Sequence, residues 1–386
     1  MHKYVENANK RALYPLSGDP IHNGHLETIK NAALLFEEVI VGFAVNDDNK
    51  TGLFTITERM HLANKAIKHL NLKNVSLVKY DNLTVDYARR NGIAYLVKGV
   101  RNEKDFGYAR SMALENKKIC PFVNTVILLA TKYENVSSTL VKQLIKHNAN
   151  VSDYVPMRVK KALEIKQGQC IIGITGEIGA GKSFIARHLK ETIDDVHELE
   201  SHIIELDDIS HSVLGIEGNL KSLQDEEFRA TRKQLRKAFG KDIGTGYIYR
   251  DALAKKIWGN KERNKELNRI IGPPMLRVVR EKMQKIKGVI MLVTGILAEA
   301  ELSYLCNNNV ILIYNTQDRI MQNMKDRGLT NEEISLRQNS MLTFDGKIAE
   351  LEKRIKKDGA GHIWKYDNSK EDVIYSLSEN ILNDIY

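Results

Sequence analysis

The run Ile171-Ile172-Gly173-Ile174-Thr175-Gly176-Glu177-Ile178-Gly179-Ala180-Gly181-Lys182-Ser183 constrains this chain more than any other stretch. A short apolar, β-branched segment leads into Gly-x-x-x-x-Gly-Lys-Ser, and Phe184 to Lys190 then has the spacing of an amphipathic helix. Strand, glycine loop and helix start are the context in which this motif cradles phosphate. Glycines let successive backbone N–H groups curl around an anion, and the helix N-terminus adds partial positive charge. In such a loop Lys182 reaches the β/γ-phosphates and the Ser183 hydroxyl holds Mg²⁺, while Gly176, Gly179, Ala180 and Gly181 supply backbone contacts. An ordinary glycine-rich turn is the alternative, and the flanking strand and helix weigh against it. The second half of the chain is therefore expected to bind a nucleoside triphosphate.

A chain of 386 residues exceeds what one core usually organises, so two domains are expected. No apolar run approaches the roughly 18–20 residues that span a bilayer. The first residues, Met1 to Asn7, lack the apolar stretch of a secretory signal. These features point to a cytoplasmic enzyme without a membrane partner. Cys120, Cys170 and Cys306 are far apart and odd in number, which fits neither a zinc spacing nor a disulfide framework. The net charge of +9 is spread along the chain and interleaved with acids, so it does not mark a nucleic-acid surface. Runs such as Glu350 to Lys357 read as solvated helix faces, and the surplus suits small anionic substrates.

In the first half, residues 11–16 read as a strand, followed by Ser17-Gly18-Asp19-Pro20-Ile21-His22-Asn23-Gly24-His25-Leu26, a helix through Phe36, and the buried-strand run Val39 to Val45. This βαβ opening implies a parallel sheet with ligands at the carboxyl ends of its strands. His22 and His25 lie three apart at a helix start, whereas a zinc site would want histidines at i and i+4 with a glutamate. Two imidazoles there are better used to hydrogen-bond a phosphate chain. One capping and one packed histidine remain the alternative.

Tyr14-Pro15-x-Ser17-x-Asp19-Pro20-Ile21-x-Asn23-Gly24-His25 resembles the opening of the nucleotidyltransferase superfamily, with its H-x-G-H motif. The likeness narrows to bacterial phosphopantetheine adenylyltransferase at three further places. They are Asn46-x-x-x-Lys50-Thr51-Gly52-Leu53-Phe54 with Glu58-Arg59, then Tyr95-Leu96-Val97-Lys98-Gly99-Val100-Arg101-x-x-x-Asp105-Phe106-x-Tyr108, then Val136 to Lys142 with the tail Val151 to Val159. The resemblance runs from about Ala12 to Leu163. It implies that His25 stabilises charge developing on the α-phosphate of ATP, with His22 and Ser17 nearby. Lys50 and Arg101 would hold the phosphates of the two substrates, and Gly99 would let the backbone approach the nucleotide. Ser137, Ser138 and Thr139 would bind the β/γ-phosphates at a helix start, and Gly24, Lys98 and Asp105 complete the implied binding set. The implied reaction is in-line attack of the phosphate of 4′-phosphopantetheine on the α-phosphorus of ATP, releasing pyrophosphate. The chain departs from the pattern at Gly18, where the family has Phe, and at Ala109, where it has an acid. Asp105-Phe106-Gly107 spells a kinase D-F-G without its companion motifs and is set aside.

After a helix ending near Ile165, Lys166-Gln167-Gly168-Gln169 is a short linker, placing the domains at residues 1–166 and 167–386 as near neighbours. Ile203-Ile204-Glu205-Leu206-Asp207-Asp208-Ile209-x-His211 reads as a strand ending in carboxylates, where a base or a Mg²⁺ ligand would sit. A helix N-terminus rich in acids is the alternative. Strands are expected at Val289 to Val293 and Val310 to Tyr314, and helices at Thr316 to Arg327 and Asn331 to Met341, the last two carrying candidate lid cations including Arg337. From Ile171 to Leu382 this order resembles dephospho-CoA kinase, which implies Glu205 or Asp207 as base and Arg250 as an acceptor contact. The chain departs from that family at Glu205, Gly272, Gly295 and Met341.

Together the resemblances imply two α/β domains: a Rossmann-like nucleotidyltransferase parallel sheet, then a P-loop kinase parallel sheet with a helical lid. The implied enzyme makes dephospho-CoA and phosphorylates its ribose 3′-hydroxyl, with ATP as substrate of both steps, Mg²⁺ as cofactor, and a possible homo-oligomer through the first domain. One alternative leaves the second domain a nucleotide-binding regulatory or scaffolding module. Another gives the first domain a different acceptor, such as nicotinate mononucleotide or glycerol phosphate.

Overall fold

The structure is a computed structural model, and it describes residues 10–45, 52–215, 220–257, 260–370 and 374–385. The chain divides into two compact units, Met1–Lys166 and Gln167–Tyr386.

The first unit alternates strand and helix: β1 (Arg11–Pro15), α1 (Asn23–Leu35), β2 (Glu38–Ala44), α2 (Ile56–His69), β3 (Val75–Tyr80), α3 (Thr84–Arg90), β4 (Tyr95–Val100), α4 (Glu103–Ile119) and β5 (Asn124–Leu129), closed by α5 (Ser138–Lys146) and α6 (Met157–Lys166). Its five strands run parallel in the order β3-β2-β1-β4-β5. The chain leaves β1 toward β2 on one side and returns to β4 on the other, so the carboxyl end of β1 opens at a topological switch point. Ala12, Leu13 and Tyr14 at its centre are buried on both faces, as a parallel sheet covered by helices requires.

The second unit contains β6 (Gln169–Gly176), α7 (Lys182–Val196), β7 (Ser201–Glu205), α8 (Leu206–Leu214), α9 (Leu220–Gln224), α10 (Glu226–Phe239), α11 (Arg250–Ile257), α12 (Lys261–Met283), β8 (Gly288–Val293), β9 (Asn309–Tyr314), α13 (Gln317–Lys325), α14 (Asn331–Asn339), α15 (Phe344–Asp358), β10 (His362–Asp367) and α16 (Ile374–Ile385). Its strands are parallel in the order β10-β9-β6-β8-β7. Every residue of the central β6 is buried. Apolar cores pack on both faces: Ile172, Ile174, Ile185 and Leu189 on one, and Ile171, Ile204, Ile290 and Leu292 on the other.

The carboxylate segment differs from its reading as a strand end. β7 stops at Glu205, and Leu206 already begins α8, which puts Asp207 and Asp208 in a helical first turn. The dipole favours acids there, and Gly215 at φ 75° ends the helix in the left-handed region.

Candidate functional site

In the first unit the sequence turns sharply from β1 into α1, and His22 forms the N-cap with extended backbone. The His22 backbone N–H donates to Nδ1 of His25 at 3.3 Å. The two rings stack with centroids 3.5 Å apart. Burial holds the His22 imidazole down at about 4, with the Arg101 charge adding to the effect. Burial likewise keeps His25 well below the usual histidine range, helped by His22 and Arg101. Both rings are therefore neutral at pH 7. Because Nδ1 of His25 accepts a hydrogen bond, its proton sits on Nε2, which leaves that atom as a donor. Gly24 lies between them, and a β-carbon there would come within 3.1 Å of the His22 ring.

Two other segments converge on this turn, the end of β4 with the start of α4, and the start of α5. The Arg101 guanidinium is set by Asp105, with Nε to Oδ2 at 2.7 Å, and by the Val136 carbonyl at 2.8 Å. Ser137 caps α5 by accepting from Leu140 N, and the Ser138 hydroxyl donates to the Pro20 carbonyl at 2.9 Å, tying that helix start to the histidine loop. Lys98 lies on β4, and burial lowers its ammonium pKa. Gly99 has a packing reason as well: a β-carbon would fall 2.5 Å from the Thr28 hydroxyl. Ser17 and Thr139 are exposed at the rim. Lys50, expected to hold phosphate, lies outside the described residues.

Asp19 organises this end of the sheet, which its place in the motif did not reveal. Burial disfavours its charge, yet Phe54 N, Leu53 N and the Lys142 ammonium hold its carboxyl below the usual range. Tyr14, inside β1, is pushed up to about 12 by burial despite a hydrogen bond with Thr28.

In the second unit the loop from Gly176 to Ser183 is fixed by close packing of its glycines. A β-carbon at Gly176 would lie 2.5 Å from the Ile313 carbonyl oxygen, and one at Gly181 would lie 2.4 Å from the Asn368 side chain. Gly181 caps α7 at φ 97° and Gly179 sits at φ 78°, where side chains are strained. Asn323 donates to the Gly179 carbonyl and Asn368 to the Ala180 carbonyl, at 2.8 and 2.9 Å, and the Ala180 N–H donates to the Glu177 carbonyl at 3.2 Å, which fixes the loop's shape.

Lys182 folds back on the loop, donating to the Glu177 carbonyl at 3.0 Å. Burial lowers its ammonium to about 8 against the pull of Asp207, with Lys347 and Arg327 lowering it further and Glu205 opposing. The Glu205 carboxyl is raised by burial, opposed by a hydrogen bond with Ser183, and raised again by Asp207 and Asp208. Asp207 Oδ1 accepts from the Thr294 hydroxyl at 2.8 Å. Glu205, Asp207, Lys182 and Ser183 are thus one electrostatic cluster at the carboxyl ends of β6, β7 and β8. Among the described residues no hydrogen bond or ion pair ties Arg250 or Arg337 to it: Arg250 is exposed at the start of α11, and Arg337 lies on α14. The lid cation whose charge acts on Lys182 is Arg327.

Lys347 is a site neighbour that sequence reading missed. Its side chain is fully buried, and its ammonium donates to the Gly295 carbonyl at 2.7 Å and to the Glu299 carboxylate. Glu299 also accepts from Leu342 N, and Glu177 accepts from Phe344 N, so α15 is strapped to the P-loop. In the sequence Lys347 opens a charged helix and looks solvated.

Ser183, Glu205, Asp207 and Asp208 form an oxygen-only set, the donor chemistry that a hard divalent cation takes. Among the described residues no cluster of three or more His, Cys, Asp or Glu makes a protein-only cage. The oxygen donors present are of the kind that Mg²⁺ takes.

The family model described as "Dephospho-CoA kinase" matches residues 170–360, and that described as "Cytidylyltransferase-like" matches residues 17–144. The chain is similar to the phosphopantetheine adenylyltransferase of Alkaliphilus metalliredigens, 40% identical over 158 residues that make up 41% of this chain and 99% of that one. It is also similar to the enzyme of that name from Desulforudis audaxviator, 41% identical over 160 residues, covering 41% of this chain and 96% of that one.

Proposed function

The chain belongs, through its first half, to the phosphopantetheine adenylyltransferase family, and we propose that it carries out two consecutive steps of coenzyme A synthesis. The first domain joins ATP and 4′-phosphopantetheine into dephospho-CoA and pyrophosphate. The second uses ATP to phosphorylate the ribose 3′-hydroxyl of dephospho-CoA, giving CoA and ADP. What supports this reading is one chain bearing a stacked histidine pair at the start of α1 and a glycine cradle at the start of α7.

In the first step an oxygen of the pantetheine phosphate attacks the α-phosphorus of ATP, and the bond to the bridging oxygen breaks toward pyrophosphate. His25 Nε2–H donates to an α-phosphate oxygen as charge builds there, and Arg101 and the start of α5 receive the departing phosphates. No group needs to ionise, which suits histidines held neutral by burial.

In the second step the 3′-oxygen attacks the γ-phosphorus, the bond to ADP breaks, and the hydroxyl proton passes to Asp207. The Ser183–Glu205 pair would hold Mg²⁺, which supplies charge neutralisation on the phosphates when bound. Lys182 leaves the Glu177 carbonyl for the β/γ-phosphates.

An exposed apolar stripe on α4, with Tyr108, Met112 and Ile119 on one side of the helix, supports assembly of copies through the first domain. Among the described residues no helix is long and apolar enough to cross a membrane.

Pyrophosphate release from ATP and phosphopantetheine, lost in His25→Ala, tests the first step. Conversion of dephospho-CoA to CoA, lost in Lys182→Ala, tests the second. The second domain would be a nucleotide-binding scaffold instead if wild-type and Lys182→Ala proteins gave equal CoA. The departures from the kinase pattern at Glu205, Gly272 and Met341 are what favour this rival.

A further inference from the structure

We infer that Thr294 is a positioning residue for γ-phosphoryl transfer in the second domain, acting through Asp207; the inference rests on the kinase reading above.

Thr294 directly follows β8 and is 1% exposed. The residue before it, Val293, pairs with Ile174 on one side and Glu205 on the other. Thr294 therefore stands between the strand that feeds the glycine loop and the strand that leads to the carboxylates. Its backbone N–H donates to the Ile174 carbonyl at 3.1 Å, anchoring it on the P-loop side.

Its hydroxyl faces two groups, the Ile296 N–H at 3.3 Å and Asp207 Oδ1 at 2.8 Å. A backbone N–H only donates, so it occupies a lone pair of the hydroxyl. An ionised carboxylate only accepts, so the hydroxyl proton has to point at Asp207. The direction of the hydrogen bond is thus fixed from both ends. Asp207 is exposed in the first turn of α8, where a carboxylate would otherwise choose among rotamers. With Oδ1 held, Oδ2 remains to take the proton of the acceptor hydroxyl, at a set distance from the strand that leads into the glycine loop.

A valine has the shape of threonine without the donor, which makes the test clean. Full-length wild type, Thr294→Val and Thr294→Ser would be compared for CoA formation from dephospho-CoA with saturating Mg-ATP, with kcat and the KM for ATP measured separately. Thr294→Val should lower kcat about tenfold, the scale of a charge-assisted hydrogen bond at a proton acceptor, with the KM for ATP within twofold. Thr294→Ser, which keeps the donor, should retain at least about half of wild-type kcat. The inference is overturned if Thr294→Val keeps wild-type kcat, if only its KM for ATP rises, or if Thr294→Ser loses as much as Thr294→Val, which would make the role one of packing. A wild-type chain that forms no CoA overturns the kinase reading itself, and this inference with it.

Discussion

Under the proposed function the two domains grip a nucleotide's phosphates with opposite materials. Both place their first strand at the centre of a five-stranded parallel sheet and turn from it into a helix. In the first, the turn presents side chains: stacked imidazoles and a guanidinium held by Asp105. In the second, it presents backbone, with glycines whose neighbours exclude a β-carbon and asparagines that occupy the carbonyls. The first site should therefore be sensitive to side-chain chemistry and pH, and the second to backbone shape. Each difference follows from what the adjoining strands leave room for.

The largest effect expected from this contrast is on His25. His25→Ala should cut adenylyl transfer about 10³-fold, or about 4 kcal/mol, while leaving CoA formation from dephospho-CoA intact. Pyrophosphate release and CoA chromatography on the same preparation check both halves. A parallel loss in both activities would mean the domains are not separable units.

Acid should separate the domains next. The folded first domain holds His22 at about 4, below the ordinary 6.5, so between those values the unfolded chain binds more protons than the folded one. Stability on this account is full above about pH 6.5 and falls as pH drops toward 4, by about 3 kcal/mol. Denaturant midpoints of residues 1–166 across that window would show it, and His22→Gln should flatten the slope. An unchanged slope in that variant would assign the acid sensitivity elsewhere.

Backbone shape is probed by Gly181→Ala. The φ of 97° and the 2.4 Å approach to Asn368 should weaken ATP binding by about 2 kcal/mol, roughly 30-fold, with adenylyl transfer untouched. Equilibrium titration of ATP against the two proteins reads it directly. The smallest effect is that of Asn368→Ala, which frees the Ala180 carbonyl at a cost of about 1 kcal/mol and raises the KM for ATP several-fold.

What the sequence made legible was whatever is local in it. The strand–loop–helix around Lys182 and the turn holding His22 and His25 occupy short continuous stretches, and residue spacing states their geometry. The elements near Asp207 were harder to read, because acids suit both a strand end and a helical first turn; burial of Leu206 and Ile209 on one helical face decided it. Arg250 and Arg337 were chosen by charge and order alone, and nothing local distinguishes them from Arg327. Thr294, Lys347 and Asp19 were invisible as site residues because their partners are distant: 87 residues from Thr294 to Asp207, 52 from Lys347 to Gly295, and 123 from Asp19 to Lys142. No spacing rule reaches across a sheet.

The most direct measurement of the account is one pot: phosphopantetheine, ATP and Mg²⁺ with wild type, His25→Ala and Lys182→Ala proteins, followed by chromatography over time. Dephospho-CoA should rise and give way to CoA in wild type, stop accumulating products in His25→Ala, and halt at dephospho-CoA in Lys182→Ala. CoA appearing in Lys182→Ala at the wild-type rate would contradict transfer from the Lys182 loop, and dephospho-CoA persisting unconverted in wild type would contradict a second catalytic domain.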